Sequence, residues 1–582
     1  MTTAREAVET CYEHIHTAEH PEVWITLRDR ELSLALAESI DVRVRDGAQL
    51  PLAGTTVAVK DNIDVAGLST TAGAPGVRHT PTVSAETVRL LEEAGAIVVG
   101  KTNMDQFATG LVGTRTPYGT PASASDPTLV AGGSSSGSAL AVALGLVDVA
   151  LGTDTAGSGR VPAAFNHLVG VKPTLGMLSS AGVYPASPSY DTVSVFARTL
   201  HTASTAMQIM TAGAGSRPWE RHARLSMSRG RVGTVDEATL ELVDAHWRTA
   251  YLSTVEALAA AGIETVEVDT APLLAAAKLL YEGALLAERA YAFGDVLAEL
   301  GPEADPTVAS IVLPARKFAA VDLVRDQQRL VAARATASGA LSGLDALLLP
   351  TAPGHPSIEE VRADPVGANS RNGMFTNFVN LLDLSALAVP AAGSTPRRPA
   401  GVMLVGRAHD DLVLADIAAR ATLVDAPAPA QLWGAPYREL MVMGAHRSGQ
   451  PLNHQLVDTG SRLLGTVRTA PTYRMARLGT TPPKPAVWKT GDGGASIVGE
   501  LWALTPDGLA DFLGKLAAPM ALTPVTLEDG REVLGFTCEP GALDGAEDIT
   551  AHGDWVAYLR ASHPSDSPDS GPAVPVEDRL RL

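Results

Sequence analysis

Two serines and a lysine stand where amide hydrolysis could be carried out without a histidine. Ser134 lies in AGGSSSGSALAVALG, and Ser158 follows 24 residues later in VDVALGTDTAGSGRVPAAFN, between Gly157 and Gly159. Glycines beside a serine let backbone N–H groups approach a substrate oxygen closely. Serine alone is a poor nucleophile and needs a base within hydrogen-bond reach of its hydroxyl. No histidine occupies either serine motif. Lys60, in VAVKDNID at the end of an apolar run, is the candidate, because burial disfavours the ammonium form and leaves a neutral, basic amine. An isolated GGSSSGS run is commonly a flexible spacer and an isolated strand-end lysine a solvated one. The combination argues for chemistry.

A second constellation concerns the substrate. In LLYEGALLAERAY, Tyr281 and Arg289 are eight residues apart. On one continuous helix they would be about 80° apart around the axis and roughly 12 Å along it. Long side chains lean towards the helix N-terminus, so Arg289 would reach back over Tyr281. A guanidinium beside a phenol suits a small carboxylate. The plainer alternative is a surface helix with Arg289 paired to a nearby glutamate.

The elements that must hold these residues read as α/β. Short apolar runs (TTVAVKD, AIVVGKT, VDVALGTD, GRVGTV, DALLLPT, LSALAVP) alternate with helical stretches such as SAETVRLLEEAGA, a pattern expected of a sheet buried on both faces. It persists through residues 1–425. The stretch 426–436, within VDAPAPAQLWGAP, reads as an extended connection. Residues 437–561 then carry strand-like runs separated by glycine and proline turns, with one helix at PDGLADFLGKLAA, and read as a smaller α+β domain. Residues 562–582, polar and proline-rich, read as a flexible tail.

At 582 residues the chain exceeds one ordinary domain, and its apolar share of 46% is ample for a large core. The formal charge of −19 repels phosphate backbones and anionic bilayers, so neither nucleic acid nor membrane is an expected partner. Only two cysteines, Cys11 and Cys538, are present, matching neither a disulfide framework nor a metal-ligand spacing; no HExxH pattern occurs, and no metal or cofactor is expected. A reducing cytoplasm fits. The N-terminal MTTAREAVETCYEHIHTAEH reads as a surface helix rather than a secretion signal, and no apolar run approaches a membrane span.

The ordered motifs resemble the amidase signature family over roughly the first 425 residues. The resemblance implies a mixed β-sheet covered by helices and a Ser-Ser-Lys triad: Lys60 from VAVKDN, Ser134 as the bridging serine of GGSSSGS, Ser158 as nucleophile in GTDTAGSGR. It further implies an oxyanion hole from the amides of Thr155, Ala156, Gly157 and Ser158, with Asp154 and Arg160 bracing the turn. GKTNMDQFATG, with Lys101 and Asp105, is another family-like segment. Ser136 stands where many members have glycine.

Within that family, the Y-x-G…A-E-R stretch, the TDTAGSGRVPAAFN form of the nucleophile motif and the distal MGAHRSGQPLNHQLVDTGSRLLG are similar to allophanate hydrolases. This implies hydrolysis of allophanate (urea-1-carboxylate), held by Tyr281 and Arg289, to ammonia and carbon dioxide in urea degradation. It also implies a functional link to a urea carboxylase, a homodimer, and a C-terminal domain resembling the gamma-glutamyl cyclotransferase-like fold that promotes breakdown of N-carboxycarbamate. In that domain His454 is the candidate acid or base, with Asn453 beside it, Arg447 and Arg474 as anion contacts, and His446 a weaker choice. The competing expectation is a general amidase or a glutamine-hydrolysing amidotransferase subunit, its C-terminal part serving only for interaction.

Overall fold

The computed structural model describes residues 2–426, 428 and 430–562. The chain divides into two compact units. The first comprises residues 1–223 and 229–435; the second takes residues 224–228 together with everything from Pro436 onward. The excursion at 224–228 is invisible to a linear reading. It belongs with the second unit, where the Leu225 and Ser226 N–H groups donate to Gly460 O (2.8 and 3.1 Å). In the stretch read as a connection, Leu432 and Trp433 are buried, and the Trp219 indole N–H donates to Trp433 O (2.6 Å). The tail from 562 onward lies, except for Ser562 at the end of the helix Trp555–Ser562, outside the described residues.

The first unit is built on an eleven-stranded mixed sheet among the described residues. From one edge the order is Trp24–Leu27, Ile97–Thr102, Thr56–Lys60, Val149–Asp154, Thr192–Ala197, Val169–Lys172, Leu384–Pro390, Gly401–Arg407, Ala346–Pro350, Arg231–Val235 and Glu264–Val268. The central strands Thr56–Lys60, Ile97–Thr102, Val149–Asp154 and Thr192–Ala197 are buried at every position, as a sheet covered on both faces requires. The α/β expectation is met.

Two features of the sheet position the chemistry. Thr56–Lys60 runs parallel to Val149–Asp154 with Val59 opposite Leu151, so both strands end on the same edge, delivering Lys60 and the turn after Asp154 side by side. Ligand-handling groups of open α/β sheets gather at such carboxyl ends. The helix Ser136–Ala143 is made of small and apolar residues and packs tightly. A Cβ on Gly137 would stand 2.4 Å from Val23 O, so only glycine permits that approach. Ser136, at the first position of this helix, is buried with Oγ 3.5 Å from Asn103 O.

The second unit contains a five-stranded sheet ordered Arg462–Arg468, Val498–Leu504, Arg438–Val442, Glu532–Cys538, Met520–Thr526, and a three-stranded one of Lys484–Lys489, Tyr473–Leu478 and Glu547–Asp548. With the helices Pro506–Gly514 and Trp555–Ser562 it encloses its own core around Leu440, Met475, Leu501, Phe512 and Trp555. This is the smaller α+β unit read from the sequence.

Candidate active site

Lys60, Ser134 and Ser158 meet in one buried line. Lys60 Nζ is 2.8 Å from Ser134 Oγ, and Ser134 Oγ is 3.0 Å from Ser158 Oγ. All three are at most 2% exposed. Ser134 follows a cis peptide bond from Gly133. Burial pulls the pKa of the Lys60 amine down to about 7, against the attraction of Asp105, Asp154 and Asp191 and with a smaller downward push from Arg289. A strand end inside the molecule thus supplies the neutral amine that a solvated lysine could not.

The turn after Asp154 is held by a buried ion pair. Arg160 Nε and Nη2 each donate at 2.9 Å to the two oxygens of Asp154, while Arg160 Nη1 donates to Thr376 O (3.1 Å) and Nη2 also to Asn380 Oδ1 (3.0 Å). Burial opposes the Asp154 charge, yet Arg160 and the Gly159 N–H hold its carboxyl below the usual range. The expected bracing by Asp154 and Arg160 is therefore visible as geometry. One expected oxyanion donor is corrected: the Gly157 N–H donates to Asp154 Oδ1 (3.0 Å), because the carboxylate that braces the turn also needs donor partners. The N–H groups of Thr155, Ala156 and Ser158 are not bonded within the turn.

The segment GKTNMDQFATG supports this arrangement. Asp105 is fully buried, accepts from the N–H groups of Val112, Gly113 and Arg115 (3.3, 3.0 and 2.9 Å), and sends its own N–H to Ser134 O (3.2 Å). Lys101, also buried, donates to Thr70 Oγ1 (2.9 Å) and stands 3.5 Å from Asp61.

Tyr281 and Arg289 converge, but not on the single helix expected for them. The helix Ala271–Glu282 stops at Gly283, which is extended (φ −123°, ψ −173°); a short turn follows, and a new helix runs from Ala287 to Leu300. The break is stabilised by Asp326, whose carboxylate accepts the Ala284 N–H at 2.8 Å. Across it, Arg289 Nη2 donates to Tyr281 Oη (3.2 Å), the guanidinium carbon lies 5.3 Å from the phenol ring centre, and Nη1 donates to Thr109 Oγ1 (3.1 Å). Arg289 is 1% exposed, and among the described residues no carboxylate lies within ion-pair distance of it. A buried guanidinium with no carboxylate in direct contact suits an anionic ligand better than the alternative of a glutamate-paired surface arginine.

In the second unit, His454 is exposed at the start of the short helix His454–Val457, with Nδ1 3.0 Å from Pro451 O. Asn453 Nδ2 donates to His446 O (2.9 Å). His446 is buried, stacks on Phe536 at 5.0 Å, approaches Gln455 Oε1 at 3.0 Å and lines a small hollow with Lys484; burial pushes its pKa down. Arg447 and Arg474, the candidate anion contacts, are engaged by carboxylates, Arg447 with Asp554 (2.8 Å) and Arg474 with Asp548 (2.7 Å). Among the described residues no cluster of three or more potential metal ligands occurs.

Sequence reasoning missed Thr153, whose Oγ1 accepts from Lys60 Nζ (2.8 Å) and Asn62 Nδ2 (3.3 Å), and Thr109 beside Arg289. Thr153 sits inside the quoted GTDTAGSG motif, but nothing in one sequence marks which hydroxyl faces the lysine.

The chain as a whole is similar to proteins of known family. Residues 6–414 match the family described as Amidase, and residues 438–560 match the Allophanate hydrolase C-terminal domain. The urea amidolyase of Lachancea kluyveri is 39% identical over 570 residues, covering 92% of this chain and 31% of that protein. The solved structure of Kluyveromyces lactis allophanate hydrolase is 36% identical with a TM-score of 0.83, covering 96% of this chain and 97% of that one. The Kluyveromyces lactis urea amidolyase structure superposes with a TM-score of 0.85 at 36% identity, this chain spanning 36% of it. The chain thus spans about a third of the length of these two amidolyases.

Proposed function

This chain belongs to the amidase family, with an allophanate hydrolase C-terminal domain following the amidase region, and from that premise we propose that it hydrolyses allophanate to ammonia and carbon dioxide in urea degradation. The observation that carries the reading is the pairing of a buried Lys60–Ser134–Ser158 line with a buried Arg289 that is bonded to Tyr281 and in direct contact with no carboxylate among the described residues.

In the first step Ser158 Oγ attacks the carbonyl of the terminal amide of allophanate, the one remote from the carboxylate, and its proton passes through Ser134 to neutral Lys60. The carbonyl oxygen becomes an oxyanion facing the Thr155, Ala156 and Ser158 amides, donors of a kind that typically contribute about 3 kcal/mol each. Return of the proton to the departing nitrogen releases ammonia and leaves an acyl group on Ser158. Water then attacks by the same relay, restoring Ser158 and freeing N-carboxycarbamate. Arg289 and Tyr281 hold the substrate carboxylate throughout.

The second step, loss of carbon dioxide and ammonia from N-carboxycarbamate, is assigned to the C-terminal unit. There His454 is the proton-transfer group: a bond from Nδ1–H to Pro451 O fixes the tautomer and leaves Nε2 as the basic nitrogen. The chain acts as a homodimer in the cytoplasm, on allophanate supplied by a urea carboxylase. Its two cysteines are free and buried, as a reducing compartment favours, and among the described residues no helix is long and apolar enough to cross a membrane.

The experiment is ammonia release from allophanate by purified protein without added cofactor. Activity is expected from the wild type and none from Ser158→Ala; release that survives the substitution removes the nucleophile assignment. Arg289→Ala is expected to raise KM with a smaller change in kcat, since the contact precedes and accompanies the reaction. His454→Ala should leave the first ammonia intact and let N-carboxycarbamate accumulate.

A further inference from the structure

The two halves of the first-step site, the oxyanion turn and the carboxylate clamp, are joined by a small structural strut. Glu288 precedes Arg289 in the chain. Its Oε2 accepts from Ser187 Oγ (2.8 Å) and from the Ser189 N–H (3.0 Å). These residues lie in a compact turn in which the Tyr190 and Asp191 N–H groups both donate to Ser187 O (2.8 and 3.0 Å). The other end of the turn is grasped by Asp191, whose Oδ2 accepts from the Ala186 and Ser187 N–H groups (2.8 and 2.9 Å) while Oδ1 accepts from Thr155 Oγ1 (2.5 Å). Thr155 is the first residue of the oxyanion turn. Asn380 closes the assembly, donating through Nδ2 to both Tyr190 O and Asp154 O (2.9 Å each).

The break at Gly283 gives such a strut a role. Because the chain leaves helical geometry at Gly283, Tyr281 and Arg289 stand on separate helices, and the position of Arg289 is set by side-chain ties rather than by one continuous helix. Allophanate is short and rigid, so a clamp displaced by about 1 Å cannot hold its carboxylate while the carbonyl occupies the oxyanion hole, and misplacement on that scale costs up to roughly 100-fold in rate. We infer that Glu288, through Ser187 and Ser189, is a positioning residue that sets the Arg289-to-Ser158 spacing and thereby the preference for a small anionic amide.

This inference rests on the allophanate reading and is tested in the full-length protein with three measurements. They are the allophanate KM, the inhibition constant of malonate as a dicarboxylate probe, and the rate at which a neutral sulfonyl fluoride labels Ser158. For Glu288→Ala, KM and the malonate constant are expected to rise together by about 10-fold or more, with labelling within about 2-fold of wild type. Glu288→Gln, which keeps an acceptor oxygen for both donors, should restore most of the difference. Unchanged KM and malonate constants, a parallel loss of labelling, or a glutamine variant as impaired as alanine would each overturn the positioning role. A wild-type protein that labels at Ser158 yet releases no ammonia from allophanate would overturn the substrate reading itself, an outcome visible before any variant is made.

Discussion

Thr153 Oγ1 lies 2.8 Å from Lys60 Nζ, the same distance that separates the amine from Ser134 Oγ. A neutral amine has two hydrogens and one lone pair. With one hydrogen committed to Thr153, the lone pair is free to accept the proton arriving from Ser134.

Removing that acceptor should therefore disorient the base without emptying the substrate pocket. Thr153→Val is expected to lower kcat by roughly 10- to 100-fold, a part of the roughly 100- to 10,000-fold that general-base catalysis supplies, with KM little altered. Thr153→Ser should retain most activity. Steady-state kinetics on allophanate decide it: a valine variant with wild-type kcat would mean that Lys60 needs no such guide.

The pH profile follows from the same amine. Burial has drawn the Lys60 pKa down to about 7, and the base is the neutral form. Activity should accordingly climb about tenfold per pH unit below that value and level off above it. Arg289 contributes to the depression, so a bound carboxylate that cancels its charge raises the Lys60 pKa. The ascending limb of kcat is expected at higher pH than that of kcat/KM. Coincident limbs would mean that substrate charge is not felt at Lys60.

Stability should depend on the Asp154–Arg160 pair, both fully buried. Arg160→Met leaves a buried carboxylate with only N–H partners, and loss of one member of such a pair costs about 3–5 kcal/mol. The sign with pH is fixed by the depressed Asp154 pKa. Its contribution is present above the ordinary carboxylate range and is lost as pH falls through the folded value, so the wild type should outlast the variant most at neutral pH and least in acid. Chemical unfolding at several pH values measures the gap.

How much of this was legible beforehand can be judged residue by residue. Lys60, Ser134 and Ser158 were readable because each sits in a local context, a strand end or a small-residue turn, that advertises its use. Tyr281 and Arg289 were readable as a pair, but the continuous helix assumed for them was not formed. Helical periodicity does not reveal that Gly283 will be extended, since the acceptor that stabilises the break, Asp326, lies 42 residues further along from Ala284. Thr153, Thr109 and Glu288 escaped for the same reason: their partners are 93, 180 and about 100 residues distant and are fixed only once the sheet is assembled. The alternation of apolar runs and helices gave the layers of the sheet, whereas the strand order and the excursion of residues 224–228 into the second unit depend on long-range contacts with no local trace.

Gly157 offers the sharpest separation of turnover from binding. Its φ of +131° is in the region open to glycine, and a Cβ there would lie 2.3 Å from Thr376 Oγ1 and 2.7 Å from Thr376 Cβ. Thr376 is not free to withdraw, because its hydroxyl donates to Ala156 O at 2.7 Å and its own carbonyl receives Arg160. Alanine at 157 must therefore shift the turn, carrying the Ala156 and Ser158 amides away from the developing oxyanion. Loss of a single such donor costs about 100- to 1,000-fold in kcat, and Gly157→Ala should fall in that range. Arg289, Tyr281 and the bonds of Glu288 to Ser187 and Ser189 are untouched by the substitution, so malonate inhibition should weaken far less than kcat falls. A variant that keeps its kcat would show that the turn tolerates displacement and that these amides do not stabilise the transition state.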